Sequence, residues 1–191
     1  MPSDNLILAF DTSAAHCAAA LLSGPDIMQV TVDPRDRGQA EHLMPLLKDM
    51  LDRAGTSWTD LTRIGVGVGP GNFTGIRIAV SAARGLALGL GIPAIGVSTF
   101  DAIHYMHPDE TAAVAAPRDM IYAKRPGQAP SLLPAAGVAD AVFATDVETM
   151  ITAMAHCTAQ ADPVKTDRPK PLYIKPADAA PSRDAAPVIL S

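Results

Sequence analysis

The sequence predicts an α/β fold, because apolar strands and amphipathic helices alternate through its first half. Residues 6–10 form a near-continuous apolar run, which is typical of a strand buried on both faces. Apolar side chains then recur at the spacing of one helix face: Leu43, Leu46, Leu47, Met50, Leu51 and Ala54. A glycine-rich segment at residues 69–77 joins a second apolar run, residues 63–68, to a proline-free stretch, residues 76–90. This order of strand, helix, strand and helix is that of α/β proteins.

A hairpin and a first long helix fill the space between these elements. Residues 18–22 and 27–32 are apolar strands joined by a short Gly-Pro turn, which predicts an antiparallel pair. Pro45 fits only the first turn of a helix, so the first long helix is expected to begin near Glu41 or His42.

The later elements are predicted from capping residues and short apolar runs. Ser98 should cap a helix that runs to about Tyr105, and Asp146 should cap a helix over residues 147–159. Four short strands are also predicted: residues 94–97, 111–116, 120–124 and 141–145. Residues 125–137 are rich in Pro, Gly and Ala and are predicted to form a loop. Prolines recur through the C-terminal residues and predict a mostly extended tail.

Composition limits the classes of function. The chain has 191 residues, of which 48% are hydrophobic and 4% aromatic, and its mean hydropathy is +0.17, as in a globular protein. The formal net charge is −5. A protein that grips nucleic acid by itself needs a basic surface, so any work on RNA would require a partner that supplies the positive charge.

The cysteines and the apolar runs predict a cytoplasmic protein without a membrane span. Cys17 and Cys157 form no CxxC pair, which favours free buried thiols over a disulfide. The first apolar run is too short for a signal peptide. Residues 78–97 are apolar, but Arg84 and Pro93 interrupt them, so they are not expected to form a membrane span.

The glycine-rich segment Gly-Pro-Gly-Asn-Phe-Thr-Gly-Ile-Arg is the most informative motif. Glycines between a strand and a helix allow a phosphate or a second backbone to come close. The segment is not a Walker loop, because Ile76 and Arg77 stand where Lys and Ser or Thr are required. It is not a dinucleotide-binding turn either, because one residue too many precedes its third glycine, Gly75.

Several segments together resemble one family, the small, non-catalytic subunit of the bacterial machinery that makes threonylcarbamoyladenosine in tRNA (TsaB-type). The matching segments are residues 8–13, 40–45, 60–64, 69–77, 82–87 and 171–176. The resemblance implies an actin-like, sugar-kinase-like ATPase fold with two related lobes, of which the second is short or degenerate. The implied division is a first lobe at residues 1–104, a reduced second lobe at 105–176 and a Pro/Ala-rich tail at 177–191.

The same resemblance implies a scaffold role. The subunit would support the transfer of threonylcarbamoyl to the tRNA adenosine next to the anticodon, without chemistry of its own. Its implied partners are a larger catalytic relative and an associated small ATPase, with a homodimer when alone and only indirect contact with tRNA. No cofactor of its own is implied, and ATP or ADP at the joint with the catalytic subunit is left open.

Two groups of site residues follow from the motifs and the resemblance. Asp11, Thr12 and Ser13 occupy the position that faces nucleotide phosphate and metal in this fold; the alternative is a structural turn at the end of a strand. The glycine-rich segment and the helix after it are the predicted partner interface: Gly69, Pro70, Gly71, Phe73, Thr74, Gly75, Arg77, Val80, Ala83, Arg84 and Ala87.

The competing hypothesis is an autonomous metal- or ATP-dependent enzyme of the same fold, similar to a metallopeptidase. The catalytic relative uses a His-x-x-x-His pair on a helix, whereas here His42 is followed by Leu46 four residues later. His104 and His107 are three residues apart and have no acidic ligand at the expected place. Ser13 and Cys17 lack an identifiable partner base. No catalytic residue and no metal ligand is therefore predicted.

Overall fold

The fold contains two β-sheets, of which the first is larger. The computed structural model describes residues 5–138 and 140–174, so the predicted tail at 177–191 lies outside the described residues. The first sheet has the strand order β3-β2-β1-β4-β5. Its strands are β1 Leu6–Asp11, β2 His16–Ser23, β3 Asp26–Pro34, β4 Arg63–Gly67 and β5 Ala94–Val97. Strands β1, β2 and β3 pair antiparallel, whereas β4 and β5 continue the sheet parallel to β1.

Helices cover both faces of this sheet, as the apolar character of β1 predicts. The helices are α1 Gln39–Arg53, α2 Phe73–Leu90, α3 Thr99–Met106 and α4 Val147–Gln160. Leu8 and Phe10 of β1 pack with α1 and α2, whereas Ile7 and Ala9 pack with α3 and α4. Successive side chains of a strand point to opposite faces, so β1 lies at the centre of both cores.

The second sheet repeats the first in a shorter form. Its strands are β6 Thr111–Ala116, β7 Met120–Lys124, β8 Ser131–Pro134 and β9 Ala141–Phe143, in the order β8-β7-β6-β9. Strand β6 pairs antiparallel with β7 and parallel with β9, as β1 does with β2 and β4. Where α1 follows β3 in the first lobe, the one-turn 3₁₀ helix Ala135–Gly137 follows β8. Two related lobes, the second reduced, account for this pattern.

Helix α4 follows the second sheet in the chain but packs on the first. A Cβ atom at Gly65 of β4 would overlap the Thr158 side chain of α4, so helix and strand are in direct contact. Arg63 Nη1 donates to the carbonyl oxygens of Thr158, Ala159 and Ala161, at 3.4, 3.2 and 2.8 Å. These carbonyls end α4 and lack helical partners, and a cation suits that end of the helix dipole. The core of the first lobe is therefore completed by residues beyond 104.

Two predicted helix caps and two predicted strands are found in the structure. Ser98 and Asp101 form the predicted capping box of α3, and Asp146 Oδ1 accepts from the backbone N–H of Thr149 at 2.9 Å as the N-cap of α4. Both predicted strands of the β6–β7 pair have the predicted bounds.

Two predicted helix starts and one predicted loop are wrong, and β9 ends at Phe143 instead of residue 145. Helix α1 begins at Gln39 instead of Glu41 or His42, and Pro45 lies in its second turn. Pro45 cannot donate a backbone bond and its ring crowds the carbonyl four residues earlier, but the apolar face of α1 is nevertheless buried. Helix α2 begins at Phe73, earlier than residue 76, because Asn72 caps it. Strand β8 lies within the predicted loop at 125–137.

Candidate functional site

The glycine-rich segment and the Asp-Thr-Ser turn contact each other. Thr12 Oγ1 donates to the carbonyl of Gly75 at 2.7 Å, and the N–H of Asn72 donates to the carbonyl of Ser13 at 2.6 Å. A Cβ atom at Gly75 would overlap the carbonyl oxygen of Thr12, and one at Gly71 would overlap that of Ser13. The glycines therefore allow the chain's own backbone to approach the start of α2.

This contact corrects part of the predicted partner interface. Gly69, Pro70 and Gly75 are buried within the chain, so their predicted role as partner contacts is wrong for the chain as folded. Gly69 has a φ of +92°, a conformation that favours glycine for backbone reasons alone. The glycines of the motif do allow a close backbone contact, as predicted, but the contact is an internal one with the Asp-Thr-Ser turn.

The inner face of α2 requires a second correction. Val80 and Ala83 were predicted to face a partner, but they are 4% and 0% exposed and belong to the core beneath the helix. Ala79 lies beside them, also fully buried. Ala87 is half-buried and packs against the same core. The alanine spacing identified a close-packed face correctly, but that face contacts the chain's own sheet.

The opposite face of α2 is open to solvent. By length and composition α2 is the one helix among the described residues apolar enough to cross a membrane, yet only 28% of it is buried. Leu88 is 84% exposed. The outer face consists of α2 residues that are exposed: Phe73, Thr74, Arg77, Ser81, Arg84, Gly85, Leu88 and Gly89. Cβ atoms added at Gly85 and Gly89 would meet nothing within 4 Å.

A groove runs between this outer face and α1. Met44 of α1 is 38% exposed and lines it together with Ile78 and Ala82 of α2. Towards the end of α2 the groove continues past Trp58 to Gly89. Its walls are therefore mainly apolar, with small residues along the α2 side.

An aromatic cluster lies at the start of α2. The Arg77 guanidinium lies 3.7 Å from the ring centroid of Phe73, and its Nε donates to the hydroxyl of Tyr173 at 3.0 Å. The Phe73 and Tyr173 rings are 5.3 Å apart, and these side chains are 40% and 45% exposed. Aromatic and arginine side chains are the types that dominate binding energy at protein interfaces. Tyr173 was not predicted, although it belongs to a segment on which the resemblance rested.

The Asp11 carboxylate is the centre of a buried polar cluster. Its Oδ2 atom accepts from the N–H of Ser13 at 3.1 Å, from Ser13 Oγ at 2.8 Å and from His16 Nε2 at 2.9 Å. Asp11 is 4% exposed, and its Oδ1 atom lies against Gly67, where a Cβ would overlap it. His16 was missed, although the hairpin from β1 to β2 returns it towards the carboxylate.

A cavity of about 350 Å³ opens beside this cluster, between the two lobes. Asp11, Ser13 and His16 form its polar end, and side chains of α4 and β6 form its walls. Thr12 is fully buried and bonded to Gly75, so the three predicted cofactor-binding residues do not act together. Among the described residues that line the cavity none is Lys or Arg. The polar side chains at this end are therefore a carboxylate, a hydroxyl and an imidazole.

The predicted free thiols are confirmed within the described part of the chain. Cys17 and Cys157 are free, and burial raises the pKa of both thiols, to about 12 for Cys157. Asp33 beside Cys17 and Asp101 beside Cys157 add to the shift. Neither is activated as a nucleophile. In residues 5–138 and 140–174 no group of three or more His, Cys, Asp or Glu side chains has the arrangement of a metal site.

Comparison with known proteins gives matches in the region that contains α1 and α2. Residues 34–124 match the family model of TsaD, tRNA N6-adenosine threonylcarbamoyltransferase. The tRNA threonylcarbamoyladenosine biosynthesis protein TsaB of Escherichia coli K12 is 43% identical over 94 residues, which are 49% of this chain and 40% of that protein. TsaB of Buchnera aphidicola from Acyrthosiphon pisum is 31% identical over 124 residues, 62% of this chain and 56% of its own.

A solved structure decides the family. YeaZ from Pseudomonas aeruginosa, a TsaB protein, is 31% identical, with a TM-score of 0.57 over 68% of each chain. The chain belongs to the TsaB family. A second structure, described as similar to peptidase YeaZ from the same bacterium, has a TM-score of 0.70 at 24% identity over 90% of this chain and 100% of its own. It supports the two-lobe, ATPase-like α/β fold alone.

The match to TsaB relatives is partial. The chain spans about half the length of the curated relatives it matches, 40% and 56% for the two above. The part of this chain that matches the family model, residues 34–124, contains α1, α2 and the groove between them.

Proposed function

We propose that this TsaB-family chain is a non-catalytic subunit in the synthesis of threonylcarbamoyladenosine in tRNA. In this proposal it docks on a larger catalytic relative of TsaD type and supports that enzyme without carrying out chemistry. The names of its TsaB relatives support the process, and the matched region at residues 34–124 supports the partner class.

The outer face of α2 carries the proposal. The outer face exposes the apolar side chains of Phe73 and Leu88, 40% and 84%, beside the apolar groove, and a partner would remove this surface from water. The open positions at Gly85 and Gly89 allow another helix to approach at short range. The groove beside α1 would accept the apolar side chains of that partner helix.

Two arginines set the charge of the proposed partner. Arg77 and Arg84 are both exposed on α2 and lie seven residues apart, on nearly the same side of the helix. Neither forms an ion pair with a carboxylate in the described part of the chain. A partner helix with small apolar residues at its centre and Asp or Glu at its edges would complement this face.

The polar cluster favours this role over an autonomous enzyme. The usual activating base of a serine nucleophile is an imidazole, but Ser13 Oγ donates to the Asp11 carboxylate at 2.8 Å, and His16 Nε2 bonds to that carboxylate and not to Ser13. The proposal includes a homodimer when the chain is alone, a small ATPase in the full complex, and indirect contact with tRNA, in keeping with the net charge of −5. ATP or ADP would bind only at the joint with the catalytic partner.

A reconstituted reaction tests the proposal. Unmodified tRNA is incubated with the catalytic subunit and the small ATPase, in the presence and in the absence of this chain. The threonylcarbamoyladenosine formed in the tRNA is then measured. We expect modification to require the chain and to be lost with Leu88→Asp, because the change places a charge in the proposed contact.

The matched control is Met28→Asp, which changes an apolar side chain that is 47% exposed on β3, the edge strand opposite the strands on which α2 packs. That variant should retain full activity. Modification that proceeds equally well without the chain, or that the chain catalyses alone, would overturn the proposal.

A further inference from the structure

A second groove lies at the C-terminal end of α2, beside the segment at residues 163–169 that follows α4. Its volume is about 540 Å³. Two arginines and several apolar side chains line it: Arg84, Leu88, Ile92, Pro93, Pro163 and Arg168. We call it the arginine groove. Because Arg84 and Leu88 also belong to the outer face of α2, the groove continues the proposed docking surface onto a second segment of the chain.

The segment opposite α2 is held in place at both of its ends. Before it, Arg63 Nη1 donates to the carbonyl of Ala161 at 2.8 Å. At its end Pro169 is buried, and a Cβ atom added at Gly96 of β5 would lie 3.3 Å from the Cβ atom of Pro169. This wall of the groove is therefore fixed against the first sheet. A ligand would meet a preformed groove, which lowers the entropy cost of binding.

The side chains that line the arginine groove give it a positive charge. Arg84 and Arg168 form no ion pair with a carboxylate among the described residues. Nearby carboxylates pair with lysines instead: Asp162 with Lys165 and Asp167 with Lys170. No Asp or Glu belongs to the described lining of the groove. In a chain whose formal net charge is −5, this local positive charge selects an acidic ligand, and guanidinium groups bind carboxylates through paired hydrogen bonds.

We propose that the arginine groove binds an acidic segment of the docking partner. Carboxylate side chains of that segment pair with Arg84 and Arg168, and an apolar side chain between them packs against Leu88 and Pro163. A free anion would leave Leu88, which is 84% exposed, in water, so the apolar lining favours a peptide. The inference rests on the proposed docking role, because α2 must contact the partner for the segment to reach the groove. Arg168 lies outside α2 and adds a charge requirement to the helix contact.

The test measures the affinity of the catalytic relative for the full chain by calorimetry, at about 0.05 M and about 0.5 M NaCl. We expect Arg168→Gln to raise the Kd about fivefold at the lower salt concentration, as the loss of one ion pair does, and to have less effect at the higher one. Arg84→Gln should act similarly from the helix side of the groove. The matched control is Arg125→Gln, which removes the same charge at an exposed position directly after β7 and should bind as the parent chain does.

The outcomes separate this inference from the docking role. If Leu88→Asp abolishes binding while Arg168→Gln leaves the Kd unchanged, docking through α2 stands and the arginine groove is not part of the contact. If the parent chain does not bind the catalytic relative, both proposals fail. An equal loss with Arg125→Gln would show a general effect of charge and overturn the inference.

Two further measurements on the chain alone identify other occupants of the groove. Self-association that Arg168→Gln weakens, with unchanged affinity for the catalytic relative, would assign the groove to a second copy of the chain. Inorganic phosphate that binds the parent chain but not Arg168→Gln, again with unchanged affinity for the catalytic relative, would assign it to a free anion. Either result would overturn the inference.

Discussion

Two positions on α2, Ala83 and Gly85, separate the role of its inner face from that of its outer face. Ala83 is 0% exposed, whereas a Cβ at Gly85 would meet nothing within 4 Å. Ala83→Glu buries a charge without a partner, at a cost of several kcal/mol against a total stability of about 5–15 kcal/mol. We expect its unfolding midpoint to fall by about 10 °C or more.

Gly85→Glu should have the opposite effect on the monomer. Glycine costs about 1 kcal/mol relative to alanine within a helix, and glutamate recovers somewhat more than half of this difference. A net gain of about 0.5 kcal/mol raises the midpoint by roughly 1–2 °C. Association with a second copy or with the catalytic relative should nevertheless fall at least tenfold, because the contact would bury an unpaired charge.

The assay combines thermal unfolding followed by circular dichroism with sizing of the same samples by light scattering. Gly85→Ala is the control, since it gains helix propensity without charge and should retain most of the association. If Ala83→Glu keeps the native midpoint, the core assignment of the inner face is wrong. If Gly85→Glu associates as the parent chain does, the outer face is not the contact surface.

Three further predictions concern contacts within the chain, and chemical unfolding measures each. Gly75→Ala should cost about 1–3 kcal/mol or more, because its Cβ would overlap the rigid carbonyl of Thr12; no loss would exclude the close contact. Arg63→Met should cost about 1–2 kcal/mol, because the carbonyls at the end of α4 lose a charged donor; an unchanged midpoint would contradict this. Burial alone would raise the pKa of Asp101, but hydrogen bonds from Ser98 and Lys124 lower it overall. The ionised Asp101 carboxylate therefore stabilises the folded chain above about pH 4, and this stabilisation is lost as the pH falls through the folded pKa. Asp101→Asn should therefore destabilise the chain at pH 7 and make little difference near pH 2; an equal loss at both pH values would refute this.

Local signals in the sequence predicted local structure well. The Ser98 and Asp146 caps depend on side chains that bind backbone groups three residues away, so their effect can be read from a few neighbouring residues. Strand β8 gave no such signal, because Ser131–Pro134 is a short edge strand with too few residues to show a period of two. The position of His16 beside Asp11 depends on the return of a hairpin, which composition does not encode.

The orientation of α2 could not be derived from its sequence. Ala79 and Ala83 on one side and Ala82 and Gly85 on the other are similar in size and polarity, so both sides satisfy the pattern of a close-packed face. Only the sheet beneath the helix distinguishes them, and it buries the first side through contacts distant in sequence. The sequence thus predicted that α2 has two faces to bury, and the structure shows which of them its own sheet covers.

The glycine-rich motif explains why the backbone N–H groups at the start of α2 do not form an anion site. In many α/β proteins the N–H groups at such a helix start bind a phosphate. Here Asn72 Oδ1 accepts from the N–H of Gly75 at 2.9 Å, and the N–H of Asn72 itself donates to the carbonyl of Ser13. The chain's own atoms thus occupy positions where an anion would bind. The same contacts fix the start of α2 against the end of the first strand, so the motif acts by holding this helix in place.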